Sequence, residues 1–191
     1  MTDEDQFGPG ANVLVVDRSG GDCLPFCLDR LDGADCRLVV STDLPAGQVV
    51  TLAGERGKES SLRVLDCIGD TGPAIKVDGA PGTTVSVPGP GVAAVGEAAV
   101  AALDDAEGAA GVCIDSVATF VDRSSVQQAY KLLYVLAQRV RRGGHRAFYT
   151  CEGPADARTL RILGRALDYR VSLDGADGPT VRSLAGVGDE E

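Results

Sequence analysis

The chain is poor in the residues from which many metal and catalytic sites are built. It has no tryptophan, one histidine and eight phenylalanine or tyrosine residues among 191. His145 has no second histidine to share a metal with, and metal motifs need paired ligands. It also lies at the amino end of a predicted strand, away from Ser19 and Ser116. We therefore expect neither a zinc site nor a Ser-His-Asp triad.

The six cysteines do not form any Cys-x-x-Cys pair. Four of them fall in or beside predicted strands, where a free thiol behaves as a small apolar side chain. The spacings also lack the paired pattern of a disulfide framework. We expect reduced thiols, most of them in the core, at the following positions: Cys23, Cys27, Cys36, Cys67, Cys113 and Cys151.

The chain lacks long apolar runs and has few lysines. No apolar stretch reaches 18 residues, and the amino terminus opens with the acidic residues 3–5, so we expect neither a membrane span nor a signal peptide, and a cytoplasmic location. The net charge is −10, and only three of the 18 basic residues are lysine. This composition resembles cytoplasmic proteins of salt-loving archaea, whose acidic surfaces remain soluble at high salt. An ordinary acidic protein of a mesophile is the alternative.

Strands and helices are predicted to alternate along one α/β domain. The expected architecture is a three-layer sandwich: a mostly parallel sheet, helices on both faces and a closing antiparallel pair of strands. We expect residues 12–185 to form this single domain, with a disordered acidic segment at 1–11 and another at 186–191. The predicted strands are 12–16, 36–40, 62–68, 112–116, 146–151, 169–173 and 180–184. The predicted helices are 22–31, 45–53, 91–106, 124–142 and 154–167, with a Gly- and Pro-rich loop or small hairpin at 69–91.

Two helix starts carry sequence signals. Ser124 followed by Gln127 has the spacing of a capping box. Pro154 suits the first position of the next helix, because its missing N–H has no partner there in any case.

The most informative stretch is residues 109–117, where an apolar run leads directly into Asp115 and Ser116. An unbroken apolar run predicts a strand that is buried on both faces. Open α/β sheets bind ligands in the crevice outside the carboxyl ends of their strands. Asp115 is therefore predicted to lie at the edge of the sheet where ligands bind.

Taken in order, these elements resemble a RecA-type P-loop ATPase. A strand and a Gly-bearing turn precede a helix, and a later apolar strand ends in Asp115. Residues 112–117, the long helix, strand 146–151, helix 155–167 and residues 168–171 look like the KaiC-like branch, closest to small degenerate members from salt-loving archaea. The resemblance covers residues 11–185, by pattern more than by identity.

This resemblance implies a nucleotide site with a damaged phosphate loop. Asp115 would be the Walker B acid that orients water on the magnesium ion of the nucleotide. A working Walker A loop needs a lysine and then a hydroxyl, and here Asp22 and Cys23 stand in their places. The loop is also one residue short and opens with Asp17. The candidate residues of the degenerate site are Ser19, Gly20, Gly21, Asp22, Asp115 and Ser116.

Charge argues against phosphate binding at this loop. Two unit charges 4 Å apart interact by about 4 kcal/mol at an effective dielectric near 20, so an acid in place of lysine replaces attraction with repulsion. The paired glutamates of KaiC-like ATPases are also absent, since residues 66–70 read Asp-Cys-Ile-Gly-Asp. We expect no catalytic residue, metal or cofactor, with ATP and Mg²⁺ as the alternative.

Two further interpretations of the acids remain open. Asp115 can be a strand-end acid that caps the turn to the next helix. Glu152 ends another strand and could share a crevice with Asp115, where two facing acids hold a cation or raise one pKa. Without a third ligand or a base, this pair would not be catalytic.

Basic residues concentrate in one part of the chain. Residues 123–170 carry a net charge of +7, and the remainder carries −17. Their arginines can simply cover apolar surface with their stems. Alternatively, they form a face that meets an acidic face of another copy head to tail, as RecA-type domains do. Nucleic acid is a weak third option, because no aromatics are interleaved. The face comprises Arg139, Arg142, Arg158, Arg161 and Arg165.

Taken together, these features favour a non-catalytic regulatory or scaffold protein that acts through protein–protein assembly. The alternative is a nucleotide-binding protein or slow ATPase that retains Asp115.

Overall fold

The computed structural model describes residues 7–21, 23–68, 83–86, 91–153, 156–175 and 178–184. Within them lie eight strands: β1 (Asn12–Asp17), β2 (Cys36–Ser41), β3 (Leu62–Asp66), β4 (Thr84–Ser86), β5 (Ala110–Ile114), β6 (Arg146–Glu152), β7 (Tyr169–Ser172) and β8 (Thr180–Ser183). Six helices connect them: α1 (Cys23–Asp29), α2 (Ala46–Glu55), α3 (Val92–Asp104), α4 (Val117–Arg123), α5 (Val126–Gly143) and α6 (Ala157–Gly164).

One mixed sheet contains all eight strands, in the order β4-β3-β2-β5-β6-β1-β7-β8. Neighbouring strands are parallel throughout, except that β8 pairs antiparallel with β7. The predicted α/β class, the mostly parallel sheet and the antiparallel closing pair are therefore confirmed.

Helices cover both faces of the sheet. One apolar layer contains side chains of α3, α4, α5 and α6. The other contains side chains of α1 and α2. Every residue of β1 and of β5 is buried, as expected for parallel strands that are covered on both sides.

The helix predicted at 124–142 is preceded by a separate helix, α4, that the sequence analysis missed. Ser116 caps α4 and accepts a hydrogen bond from the Thr119 N–H. The predicted capping box at Ser124 is wrong, because the Ser124 hydroxyl donates to the Phe120 carbonyl at the end of α4. Ser125 is the N-cap of α5 instead, and its hydroxyl oxygen accepts from the Gln128 N–H.

Other boundaries also differ from expectation. Within the segment 1–11 that was expected to be disordered, Phe7 is buried and makes edge contacts with Phe148 and Tyr169. Helix α6 begins at Ala157 with Asp156 as its N-cap, and Pro154 lies outside the described residues. β4 pairs parallel with β3. Most of the loop or small hairpin predicted at 69–91 lies outside the described residues.

Among the described residues, no helix is both long enough and apolar enough to cross a membrane. All six cysteines are free, and all except the half-buried Cys67 are buried.

Candidate functional site

Two crevices open at the carboxyl edge of the sheet, where adjacent strands lead to helices on opposite faces. β1 leads to α1 and its neighbour β6 leads to α6. β2 leads to α2 and its neighbour β5 leads to α4. Such switch points are where open α/β sheets bind ligands. We call them the β1/β6 crevice (residues 17–21, 23 and 152) and the β2/β5 crevice (residues 41–44, 115 and 116).

Asp115 fills the β2/β5 crevice with its carboxylate. The residue is 4% exposed. The backbone N–H and the hydroxyl of Thr42 both donate to its Oδ1 at 2.6 Å. Its Oδ2 lies 2.9 Å from the Ser41 hydroxyl oxygen and 3.3 Å from the backbone nitrogens of Asp43 and Leu44. The loop after β2 therefore wraps around this one carboxylate.

The surrounding groups hold the loop and the carboxylate in place. The Arg123 side chain donates to the carbonyls of Cys67 and Thr42. Asp66, at the end of β3, accepts from the Ala46 N–H at the start of α2. The Thr150 hydroxyl donates to the Asp115 carbonyl. Each strand end near this crevice is thus tied to a neighbouring element.

This geometry assigns different roles to the two predicted site residues at the end of β5. Ser116 caps the following helix, whereas Asp115 caps the loop after the neighbouring strand β2. From the sequence, Asp115 was expected to cap the turn to the next helix, and Ser41 and Thr42 were not identified as its partners. Their hydroxyls directly follow a buried strand, and that position is the signal that could have identified them.

In the β1/β6 crevice, the turn after β1 contains two glycines with positive φ angles. Gly20 and Gly21 have φ of +80° and +111°, a region that side chains rarely adopt. Asp17 Oδ1 accepts from the Ser19 backbone N–H at 2.9 Å and from the Ser19 hydroxyl at 2.6 Å. Asp22 lies outside the described residues.

Glu152 closes this crevice from the β6 side. Its residue position is directly opposite Asp17 in the parallel register. Burial is the largest influence on the pKa of Glu152 and raises it. Hydrogen bonding from the backbone of Cys23 and Gly21 and from the Cys23 thiol opposes this shift, and the charge of Asp17 adds to it.

The two carboxylates therefore serve different crevices. We predicted that Glu152 could share a crevice with Asp115, but its contacts are with the turn after β1, and the acid beside it is Asp17. The Asp115 carboxylate is directed to the loop after β2. Among the described residues, no cluster of three or more His, Cys, Asp or Glu side chains could hold a metal ion.

The thiols of Cys23 and Cys27 and the His145 ring are buried in environments that do not activate them for catalysis. Burial raises the pKa of the Cys23 and Cys27 thiols, so both are protonated at neutral pH, and a thiol is a weak nucleophile. His145 is buried at the amino edge of the sheet, and its Nδ1 accepts from the Ala110 N–H at 3.0 Å. Burial and the charge of Arg139 lower its pKa, which keeps the ring neutral.

A groove of about 1140 Å³ runs between α3, α4 and α5, beside the β2/β5 crevice. Its lining is mainly apolar, and Val135 on its rim is 52% exposed. Its Cys67 thiol has a pKa raised to about 12, chiefly by burial and also by Asp115. The groove thus offers apolar contact area with a protonated thiol.

The predicted basic face keeps four of its five arginines. Arg139 pairs with Asp104 on α3, so its charge is satisfied within the chain. The other four are exposed, and none forms an ion pair within the described part of the chain: Arg142, Arg158, Arg161 and Arg165.

Comparison with known proteins gives one family. Residues 10–173 match DUF7504, a family of unknown function. The chain belongs to DUF7504. No curated protein matches it. The matched range includes both crevices and α6, so the features described here lie in the part of the chain that defines its membership of DUF7504.

Proposed function

We propose that this DUF7504 protein is a non-catalytic RecA/KaiC-like regulatory or scaffold protein that acts in the cytoplasm through protein–protein assembly. In this proposal its nucleotide site is degenerate and binds no polyphosphate. The proposal depends on the two crevices, each of which contains a carboxylate of the chain itself.

The observation that carries the proposal is the position of Glu152. Glu152 lies directly opposite Asp17 in the register of β1 and β6. Phosphate loops bind anions with successive backbone N–H groups, and here hydrogen bonding from the backbone of Cys23 and Gly21 acts on the Glu152 carboxylate and opposes the rise of its pKa that burial causes. A triphosphate would have to displace that carboxylate and remain beside two acids, Glu152 and Asp17. Each unit charge pair at 4 Å costs about 4 kcal/mol at an effective dielectric near 20. An internal anion thus occupies the place of the external one.

The hydrogen bonds of Asp115 support the same conclusion. An ionised carboxylate has about four lone-pair sites, and four donor groups of residues 42–44 lie within 3.3 Å of the Asp115 oxygens. The Ser41 hydroxyl, at the end of β2, is also within this distance and can donate either to Asp115 or to the Leu44 carbonyl. A Walker B role requires that the carboxylate accept a hydrogen bond from water on magnesium. Asp115 would have to release part of its loop to do so.

The RecA/KaiC-like assignment is supported by the order of the elements. β1, a turn with two left-handed glycines and α1 come first, and the buried strand β5 leads later to Asp115. The acidic, lysine-poor composition supports the further proposal of a halophilic archaeal source.

An assembly role is supported by the exposed arginines of α5 and α6. Most of the remaining chain is acidic, so the basic face of one copy complements acidic surface on another. A head-to-tail contact of this kind generates rings or filaments.

Nucleotide binding and self-association can be measured on the same wild-type protein. Labelled ATP is titrated with magnesium in molar KCl, and sedimentation velocity is recorded over a range of protein concentrations. We expect no ATP binding and a concentration-dependent increase in molecular mass. The double variant Arg161→Ala/Arg165→Ala should reduce this increase.

The matched control is Arg56→Ala, which should leave assembly unchanged. Arg56 is the C-cap of α2, on the opposite face of the sheet, and pairs with Asp29. Micromolar binding of ATP by the wild type would contradict the proposal and favour a nucleotide-binding protein. A monomer at every concentration would contradict self-assembly.

A further inference from the structure

Strand β8 is an exposed edge of the sheet. It is the last strand in the sheet order, and within the described residues it pairs only with β7. All four of its residues are exposed. An edge strand leaves N–H and C=O groups unpaired on its outer side, and these groups can pair with another extended chain.

Two arginines face each other across the last two strands. Arg170 on β7 is directly opposite Arg182 on β8 in the antiparallel register. Like charges in this position destabilise a strand pair. Neither arginine has an ion-pair partner in the described ranges, and the Arg170 Nε is buried without a hydrogen-bond partner. This edge therefore carries positive charge that no acidic side chain of the described residues neutralises through an ion pair.

The basic face of α6 adjoins the same edge. Leu184 directly follows β8 and packs against α6, since its Cδ1 lies 3.4 Å from the position of a Cβ added to Gly164. The exposed Arg161 is on this short helix, and the exposed Arg165 is its C-cap. The positive charge of α6 thus continues toward the arginines of β7 and β8.

We propose that β8 binds an extended acidic segment of a partner protein as a ninth strand of the sheet. Main-chain hydrogen bonds along β8 supply affinity in strand addition, and side-chain pairs supply specificity. A carboxylate opposite Arg182 relieves the repulsion between Arg182 and Arg170. Pairing of β8 with β8 of a second copy supplies no carboxylate, because β8 contains no acidic residue, so self-pairing does not relieve the repulsion and an acidic partner segment is favoured.

The two faces of β8 define the pattern of the partner segment. Arg182 lies on one face, and Val181, 37% exposed, lies on the other, opposite Val171. Side chains alternate between the faces of a strand, so the partner segment should alternate acidic and apolar residues. This inference rests on the proposed assembly function, because it names one surface and one partner class for that function.

The experiment uses the full chain and a fluorescein-labelled peptide, Val-Asp-Val-Glu-Val-Asp-Val. Fluorescence anisotropy measures binding, and hydrogen exchange measures protection of the amides of residues 180–183. We expect binding together with slower exchange on β8. A peptide with lysine at the acidic positions should bind at least tenfold more weakly.

Arg182→Glu should abolish peptide binding, and Arg182→Gln should weaken it. Both variants should have a thermal midpoint no lower than that of the wild type, because residue 182 is exposed and its substitution removes the repulsion from Arg170. Arg56→Glu, at the C-cap of α2, is the control and should bind as the wild type does. Absence of binding, or binding that Arg182→Glu leaves unchanged, would overturn the inference.

The two proposals can fail separately. If the peptide does not bind but the protein still assembles without binding ATP, the β8 inference fails and the scaffold function stands. If the wild type binds ATP at micromolar concentration, the scaffold function fails.

Discussion

The β2/β5 and β1/β6 crevices use one device under different electrostatic conditions. In both crevices, a carboxylate at the end of one strand interacts with backbone N–H groups that follow the neighbouring strand. Asp115 is 4% exposed and surrounded by neutral donors. Glu152 is half-buried, and the charge of Asp17 contributes to its raised pKa. We infer that the Asp115 carboxylate stabilises the fold, whereas the Glu152 carboxylate fills its crevice at an electrostatic cost.

The largest expected effect comes from removing the carboxylate of the β2/β5 crevice. Asp115→Ala leaves several N–H and hydroxyl groups of the loop after β2 without their acceptor, and each buried unsatisfied group costs about 1–3 kcal/mol. We expect the free energy of unfolding to fall by about 3 kcal/mol and the thermal midpoint to fall by about 10 °C. Urea and thermal unfolding followed by circular dichroism measure both quantities.

The control for this variant is Asp122→Ala, which removes an exposed acid on the nearby helix α4. We expect a change within about 0.5 kcal/mol, as is usual for surface positions. Equal effects of the two substitutions would show that Asp115 does not hold the loop after β2.

The β1/β6 crevice should show a pH dependence that the other crevice does not explain. Burial and Asp17 raise the folded-state pKa of Glu152 above its unfolded value, so the folded state binds this proton more tightly. Its contribution to stability is present below the unfolded pKa and is lost as pH rises through the folded pKa. Glu152→Gln removes this dependence.

We therefore expect the wild type to gain stability relative to Glu152→Gln as pH falls from about 7 to about 4, the range around the ordinary glutamate pKa. Unfolding free energies at several pH values give this difference. Glu97→Gln, an exposed glutamate on α3, corrects for the loss of one surface carboxylate. A difference between wild type and Glu152→Gln that grows with rising pH would contradict the assigned direction.

The smallest expected effect is a difference in thiol labelling rates, which reports how often each crevice opens locally. Cys23 lies in the turn that Glu152 closes, and Cys113 lies inside β5, the strand that leads to Asp115. Both are buried. Regions with different local stability open at different rates, so we expect Cys23 to react with N-ethylmaleimide faster than Cys113 in the native protein.

Mass spectrometry of the digested protein measures both rates in the wild type, so no substitution is required. Addition of a low urea concentration should accelerate Cys113 more, because its exposure follows global unfolding. Identical rates at both cysteines would mean that the β1/β6 crevice does not open locally.

Sequence patterns predicted the parts of this fold that depend on local chemistry. The apolar runs of β1 and β5 and the alternation of strands and helices identified the sheet and its helical layers. The same patterns missed α4, because Thr119, three residues after the N-cap Ser116, is not the Glu or Gln of a capping box. They also chose Ser124 rather than Ser125, two adjacent serines that differ only in which backbone group each contacts.

The pairing of acids with loops could not be predicted, because it depends on strand order. Asp115 is 73 residues from Thr42, and they meet only because β5 lies beside β2. In the same way, Glu152 meets Gly21 because β6 lies beside β1. Both acids were correctly predicted at strand ends. They were predicted to share one crevice, because the sequence does not reveal which strands are neighbours.

We propose that the Glu152 carboxylate occupies the N–H groups that would otherwise bind phosphate. Backbone amide chemical shifts of Gly20, Gly21 and Cys23, recorded by NMR during a titration with MgATP, test this proposal. We expect these three resonances to stay in place at millimolar MgATP. A saturable shift of the Gly21 and Cys23 amides at micromolar MgATP would contradict it.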